Sequence, residues 1–203
     1  MTTGAERGAR AAGRLALGLA LLALGCAPGA AADWGVADLM RSLAQVKEAR
    51  GRFVERRDLA ALTAPLRSSG TLVYVAPGHL EKQTTKPAPE SIVLDGDRLT
   101  IGKIEGGPKR VLNLPDYPVL WAFVESIRST LAGDLGTLNR FYRVVLGGRE
   151  SQWRLVLVPI EPKMREFVRE IRIDGRRDRI DTISVFESGG DRSTLTITRD
   201  DAS

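Results

Sequence analysis

His79 is the only histidine in the 203-residue chain, so a search for chemistry starts there. An imidazole can serve as a general base beside a nucleophile, or as a metal ligand. Glu81, Glu90, Asp95 and Asp97 follow it closely, and the single cysteine, Cys26, stands far upstream. Nucleophilic catalysis needs a base next to an activated hydroxyl or thiol, and His79 alone could be the usual base. Its position beside Pro77-Gly78, at the start of a strand pattern, reads instead as surface. One histidine and one cysteine fall short of the ligand set of a zinc site. Asp95 and Asp97 flank a glycine in a turn, where aspartate serves structure. Gly106-Gly107 and Gly147-Gly148 precede strands rather than helices, so neither cradles a phosphate. These residues point away from an enzyme and imply no metal and no cofactor.

The N-terminus reads as an address. Arg7, Arg10 and Arg14 precede the apolar run Leu15–Leu24, and small residues end at Ala30-Ala31-Ala32. That is the pattern of a secretory signal over residues 1–32, cleaved after Ala32. The run is shorter than the ~20 residues that span a bilayer. Cys26 follows Ala23-Leu24-Gly25, a loose lipobox, so acylation there and an outer-membrane anchor is the alternative. The full chain carries 30 Lys and Arg against 25 Asp and Glu, a net charge of +5. Loss of the leader's three arginines and one glutamate leaves 27 against 24, a net of +3. The basic residues are scattered singly along strand patterns, apart from Arg176-Arg177 with Arg179, which suits a solvated face better than a nucleic-acid footprint.

Residues 33–203 then read as one domain. Asp33 is an N-cap candidate, and Val36, Leu39, Met40, Leu43 and Val46 recur at helical spacing, predicting a first helix of three to four turns that Gly51 ends. Strands are expected at 52–59, 70–76, 79–86, 91–94, 98–104 and 109–114, joined by tight turns, with a loop over 60–69. Pro87 and Pro89 hold the chain extended between two of them, and Asp95-Gly96 marks a hairpin. Asp116 precedes Pro118 as a helix cap. Leu120, Phe123, Val124, Ile127 and Leu131 follow on one helix face with Trp121 at its shoulder, and Gly133 stops the helix. Five more strands close the chain at 141–146, 152–159, 167–174, 180–187 and 193–199.

Eleven antiparallel strands make a sheet that curls and needs a cover on its apolar face. Several strands are apolar at alternate positions only: Leu72/Tyr74, Trp153/Leu155/Leu157 and Phe167/Ile171/Ile173. The expected fold is mainly β with helices, a curved antiparallel half-open β-barrel of about eleven strands under a helical lid. A fully seated lid makes an ordinary core; a lifted one makes a pocket for something apolar.

The run Pro89–Leu99, PESIVLDGDRL, resembles a signature of the periplasmic lipoprotein-carrier family, LolA. Leu43–Val46, Gly51-Arg52-Phe53 and Gly70–Tyr74 resemble that family's first helix and first two strands. The likeness extends over most of residues 36–200, with motif-like matches in 36–100. It implies a monomeric periplasmic carrier whose cavity takes lipoprotein acyl chains or another lipid from an inner-membrane exporter to an outer-membrane acceptor. The same scaffold anchored through Cys26, as a receptor or lipid sensor, is the alternative, and a periplasmic hydrolase using His79 is a third reading. On the carrier reading, cavity and lid draw on Phe53, Leu72, Tyr74, Leu120, Trp121, Phe123, Val124, Ile127, Leu131, Trp153 and Leu155. The family often carries an arginine in the turn after the second strand that helps hold the lid shut; this chain has Ala76-Pro77 there.

Overall fold

The computed structural model describes residues 34–200, and eleven strands within them form one antiparallel sheet. The first six are β1 (Glu48–Asp58), β2 (Leu66–Val75), β3 (His79–Lys86), β4 (Glu90–Asp95), β5 (Arg98–Gly102) and β6 (Arg110–Asn113). The last five are β7 (Tyr142–Arg149), β8 (Gln152–Pro159), β9 (Val168–Arg176), β10 (Arg179–Glu187) and β11 (Arg192–Arg199). Their order is β6-β5-β4-β3-β2-β1-β11-β10-β9-β8-β7. Both meanders grow outward from the middle, where β1 pairs with β11 from Gly51 opposite Arg199 to Asp58 opposite Arg192. The helical segment between β6 and β7 therefore connects the two outer strands and crosses the face of a curled, half-open sheet.

Register decides which side chains that face carries. Phe53, Leu72, Leu80, Leu94 and Leu99 on β1 to β5 look the same way as Ile197, Ile183, Ile173 and Leu155 on β11 to β8. A one-residue slip in any strand would turn its apolar set to water, so the alternation fixes the pairing. The prolines do what their missing donors require: β3 ends at Lys86, β4 starts at Glu90, and Pro87–Pro89 bridge them outside the ladder. Just before that crossover Thr85 is left unopposed between Lys86 opposite Ser69 and Thr84 opposite Gly70, a bulge that bends β3. Asp95 pairs with Arg98 to close the β4–β5 hairpin, and Gly96 takes the positive φ (56°) that the two-residue turn demands.

Among the described residues four helices cover the sheet rather than the two expected: α1 (Val36–Leu43), α2 (Pro118–Ala132), α3 (Leu135–Phe141) and α4 (Pro162–Arg165), with a 3-10 turn over Leu114–Asp116. The short α3 is capped by Asp134, whose carboxylate accepts from the Thr137 N–H at 2.9 Å and from its hydroxyl at 2.7 Å. At α1 the cap is Gly35, whose N–H donates to the Asp38 carboxylate at 2.9 Å; Asp33 lies outside the described residues, as do the leader and Cys26. That helix has eight residues, because the chain enters the β1 ladder already at Glu48, opposite Val75. Gly51 therefore sits inside β1, where a Cβ would stand 2.8 Å from the Thr198 carbonyl oxygen, and does not end the helix. The loop expected over 60–69 ends earlier, since Leu66–Ser69 pair with Glu55–Arg57 and Val54 as part of β2. Asp116 is taken up in the 3-10 turn, so the α2 cap falls to Tyr117, directly before Pro118.

The apolar face is filled unevenly. Under α1, α3 and α4 the β7–β9 half packs into a continuous core around Leu39, Leu138, Tyr142, Trp153, Leu157 and Ile171. Toward the other edge a smaller core joins Leu94, Leu99, Leu112 and Leu114. Gly133 ties α2 to α1: it ends α2 at φ 70°, and a Cβ there would lie 2.2 Å from the Met40 carbonyl oxygen. Gly133→Ala combines left-handed strain with that collision, so a loss of roughly 1–3 kcal/mol is expected in urea unfolding. An unchanged midpoint would mean α1 yields at no cost.

Candidate functional site

The faces of α2 are sorted in an unexpected way. Fully buried are Ala122, Glu125, Ser126, Ser129 and Thr130, whereas Leu120, Phe123, Val124, Ile127 and Leu131 stay partly accessible. The small face seats α2 closely on its neighbours, and its polar atoms are satisfied within the fold. The Tyr142 hydroxyl donates to the Ala122 carbonyl at 3.0 Å, while Ser126 and Thr130 each donate to a carbonyl one turn back at 2.6 Å. The large apolar residues consequently overhang an unfilled space.

That space is a cavity of about 410 Å³. Phe123, Val124, Ile127 and Leu131 form its roof, and Leu43 and Val46 also line it. The sheet supplies the floor: Leu72, Tyr74, Leu80 and Ile92 from β2 to β4, facing Ile183, Val185, Leu195 and Ile197 from β10 and β11. Its size lies in the ~300–1,000 Å³ range of small-molecule sites. Such walls can hide an apolar chain from water, a gain of roughly 0.8 kcal/mol per CH₂.

The Glu55–Lys82 ion pair interrupts the greasy floor. The Lys82 ammonium donates to the Glu55 carboxylate at 2.6 Å and lies 5.0 Å over the Phe53 ring. The Ser193 and Ser68 hydroxyls donate to the same carboxylate at 2.8 and 3.2 Å. Burial pushes the Glu55 carboxyl up, but Lys82 and the two hydroxyls outweigh it and hold the group below the usual carboxylate range. A depressed pKa stabilises the fold above the ordinary value of about 4.3, and that contribution disappears as pH falls through the folded-state value. Thermal melts between pH 7 and 3 should therefore show the native chain losing stability below about pH 4 more steeply than Glu55→Gln. Parallel curves would assign the acid sensitivity to other carboxylates.

Tyr74 adds a second polar feature. Its ring is 4% exposed, its hydroxyl has no hydrogen-bond partner among the described residues, and burial raises its pKa. An orphaned buried hydroxyl costs roughly 1–3 kcal/mol. On a cavity wall it is a donor available to an oxygen atom of an occupant.

At one end α2 is fastened to the strand turns. Arg128 donates through Nη1 to the Gly96 carbonyl at 2.9 Å, and its Nη2 lies 3.8 Å from Asp97, both in the β4–β5 hairpin. Its stem lies over Gly78, where a Cβ would come within 2.7 Å of the Arg128 Cδ. Glu125, 4% exposed, holds the guanidinium and also accepts from Trp121 Nε1 at 3.0 Å and from the Ser129 hydroxyl at 3.2 Å. His79 sits near this corner, with Nε2 3.0 Å from Glu81 and Nδ1 3.9 Å from Asp95. Among the described residues no group of three His, Cys, Asp or Glu is placed to hold a metal.

Of the residues expected from sequence, Leu72, Tyr74, Phe123, Val124, Ile127 and Leu131 line the cavity. Leu120 and Trp121 instead pack on the smaller core, with Trp121 edge-on to Phe141 at 5.6 Å. Trp153 and Leu155 belong to the filled larger core, and Phe53 is buried beneath Lys82. Sequence reasoning did not single out Leu80, Ile92, Ile183, Val185, Leu195 or Ile197. The signal was available in the alternation of Thr194-Leu195-Thr196-Ile197, but alternation alone does not separate cavity wall from core.

The family described as outer membrane lipoprotein carrier protein LolA-like matches residues 26–202, and the chain belongs to it. Among solved structures it is similar to a LolA superfamily protein from Nitrosomonas europaea, at 10% identity over 81% of this chain and 92% of that one, with a TM-score of 0.44. A putative outer membrane lipoprotein-sorting protein domain from Vibrio parahaemolyticus matches at 6% identity over 80% and 88%, TM-score 0.43. The MucA/MucB complex from Pseudomonas aeruginosa matches at 13% identity over 83% of this chain and 58% of that one, TM-score 0.44. No curated protein matches the sequence. Among the described residues, no helix is long and apolar enough to cross a membrane.

Proposed function

We propose that this protein is a periplasmic carrier that holds the acyl chains of a lipoprotein, or another lipid, beneath α2 and delivers them toward the outer membrane. The observation that carries the reading is the sorting of α2. Its small and polar residues are buried, while Phe123, Val124, Ile127 and Leu131 roof the cavity and remain partly accessible. A helix that only completed a core would bury its large apolar residues first. Family membership supports the same role, with α2 as the lid and an inner-membrane exporter and outer-membrane acceptor as partners. Carriage of this kind makes and breaks no covalent bond, and it asks only that the lid have two packings close in energy.

Leader cleavage after Ala32 would release the carrier as a soluble monomer. Native mass spectrometry of the protein taken gently from a bacterial periplasm tests both points. A chain starting at Asp33 with a co-purifying lipid mass is the expected result. A chain starting at acylated Cys26 would replace the shuttle with an anchored receptor. A bare chain that also fails to take up a fluorescent fatty acid would overturn the reading.

A further inference from the structure

A second space adjoins the cavity, and its chemistry is the opposite. A cleft of about 850 Å³ lies at the end of the sheet where β1, β2 and β3 meet the start of β4, the end of β5 and the start of β6. Six cations line it: Arg57, Arg67, Lys82, Lys103, Lys109 and Arg110. Against them stand two carboxylates, Glu55 and Glu90, and Glu55 is already taken by Lys82. Pro87, Ala88 and Pro89 close one side, so the proline crossover forms a stiff wall there. Cleft and cavity share Glu55, Lys82 and Ile92 in their linings, so the two spaces adjoin at those residues.

Among the described residues none of Arg57, Lys103, Lys109 and Arg110 holds an ion pair, and all four are exposed. Like charges gathered in one concavity repel one another until an anion joins them, and a cleft of one sign concentrates its counter-ion. Register places Arg57 two residues along from Glu55 and Arg110 opposite Ile101, so both point to the face that carries the cavity. Cation donors therefore stand beside the part of the cavity that Glu55, Lys82 and Ile92 border. We infer that the occupant is an anionic amphiphile: its hydrocarbon lies in the cavity under α2, and its carboxylate or phosphate headgroup is held in the cleft by Lys103, Lys109, Arg110 and Arg57. This rests on the lipid-carrying reading and deepens it by assigning the charge of the cargo and the end at which the headgroup sits.

The test compares 11-(dansylamino)undecanoic acid with its methyl ester, which differ in headgroup charge and scarcely in hydrocarbon. Both are titrated into the full chain at pH 7.5 and low salt, with dansyl fluorescence as the readout. The acid is expected to bind at least about tenfold more tightly, and the preference should shrink as salt screens the cleft. In the variant Lys103→Glu/Lys109→Glu/Arg110→Glu the acid-to-ester affinity ratio should fall to about one or below. Equal affinity of acid and ester for the native chain would overturn the headgroup site and leave the apolar cavity standing. Binding of neither probe would sink the cavity reading itself. Inorganic phosphate, added at constant ionic strength, separates a lipid headgroup from a free anion. Displacement of the acid only at high phosphate is the expected result, and tight phosphate binding without any chain would overturn the amphiphile assignment.

Discussion

Ile127→Glu should abolish retention of an apolar ligand while leaving the domain folded. Ile127 is one of four large residues that roof the cavity, and it is partly accessible. With the cavity unoccupied, a glutamate there can remain hydrated, so thermal stability should change by no more than about 1 kcal/mol. Once an acyl chain displaces that water, the carboxylate is left against hydrocarbon without a partner, a cost of several kcal/mol. Affinity for a dansyl fatty acid should therefore drop by about two orders of magnitude or more. Phe123→Glu, one turn earlier, should behave alike. If both variants kept native affinity with unchanged circular dichroism, α2 would be a core helix and the carrier reading would lose its site. A loss of fold in both would be equally informative, since it would show that the face was supporting the core after all.

Strand count and the proline crossover were legible because each rests on a local rule. Period-two alternation, Asp-Gly and Gly-Gly turns, and the missing proline donors act within a few residues of sequence. The helix over α2 was legible for the same reason, from Leu120 to the stop at Gly133. What sequence could not separate was wall from core. Trp153 and Tyr74 are both large rings on strands with one apolar face, yet Trp153 is sealed under the α1, α3 and α4 side while Tyr74 faces open space. The difference lies in two short helices. Seven residues of α3 and four of α4 give too little periodicity to be seen, and they decide which half of the sheet is filled. The polar face of α2 hid its meaning in the same way. Ser126, Ser129 and Thr130 look like a solvated face, but in burial Ser126 and Thr130 donate to backbone carbonyls and Ser129 to the Glu125 carboxylate. The basic cleft was equally hidden, because its cations come from β1, β2, β3, the end of β5 and the start of β6, far apart in sequence.

The strongest control over the lid is expected at Arg128, on α2. The turn after β2 offers Ala76-Pro77 and no arginine, and the tether runs in the opposite sense, from α2 to Gly96 and across Gly78. Arg128→Ala removes the hydrogen bond to the hairpin and also leaves Glu125 buried without its cation. Loss of one partner of a buried ion pair costs roughly 3–5 kcal/mol, and the partial exposure of Arg128 lowers the expectation to about 2 kcal/mol. Opening of α2 should become easier by a comparable amount, so stopped-flow release of a bound dansyl fatty acid should accelerate by at least about tenfold. The double variant Glu125→Gln/Arg128→Met separates the two causes. It removes the buried charge together with its partner, keeps an apolar stem over Gly78, and still lacks the tether to Gly96. Stability should then return toward the native value while release stays fast, because a neutral core under α2 does not refasten it to the β4–β5 hairpin. Recovery of slow release along with stability would assign control of the lid to the ion pair and leave the hydrogen bond to Gly96 incidental.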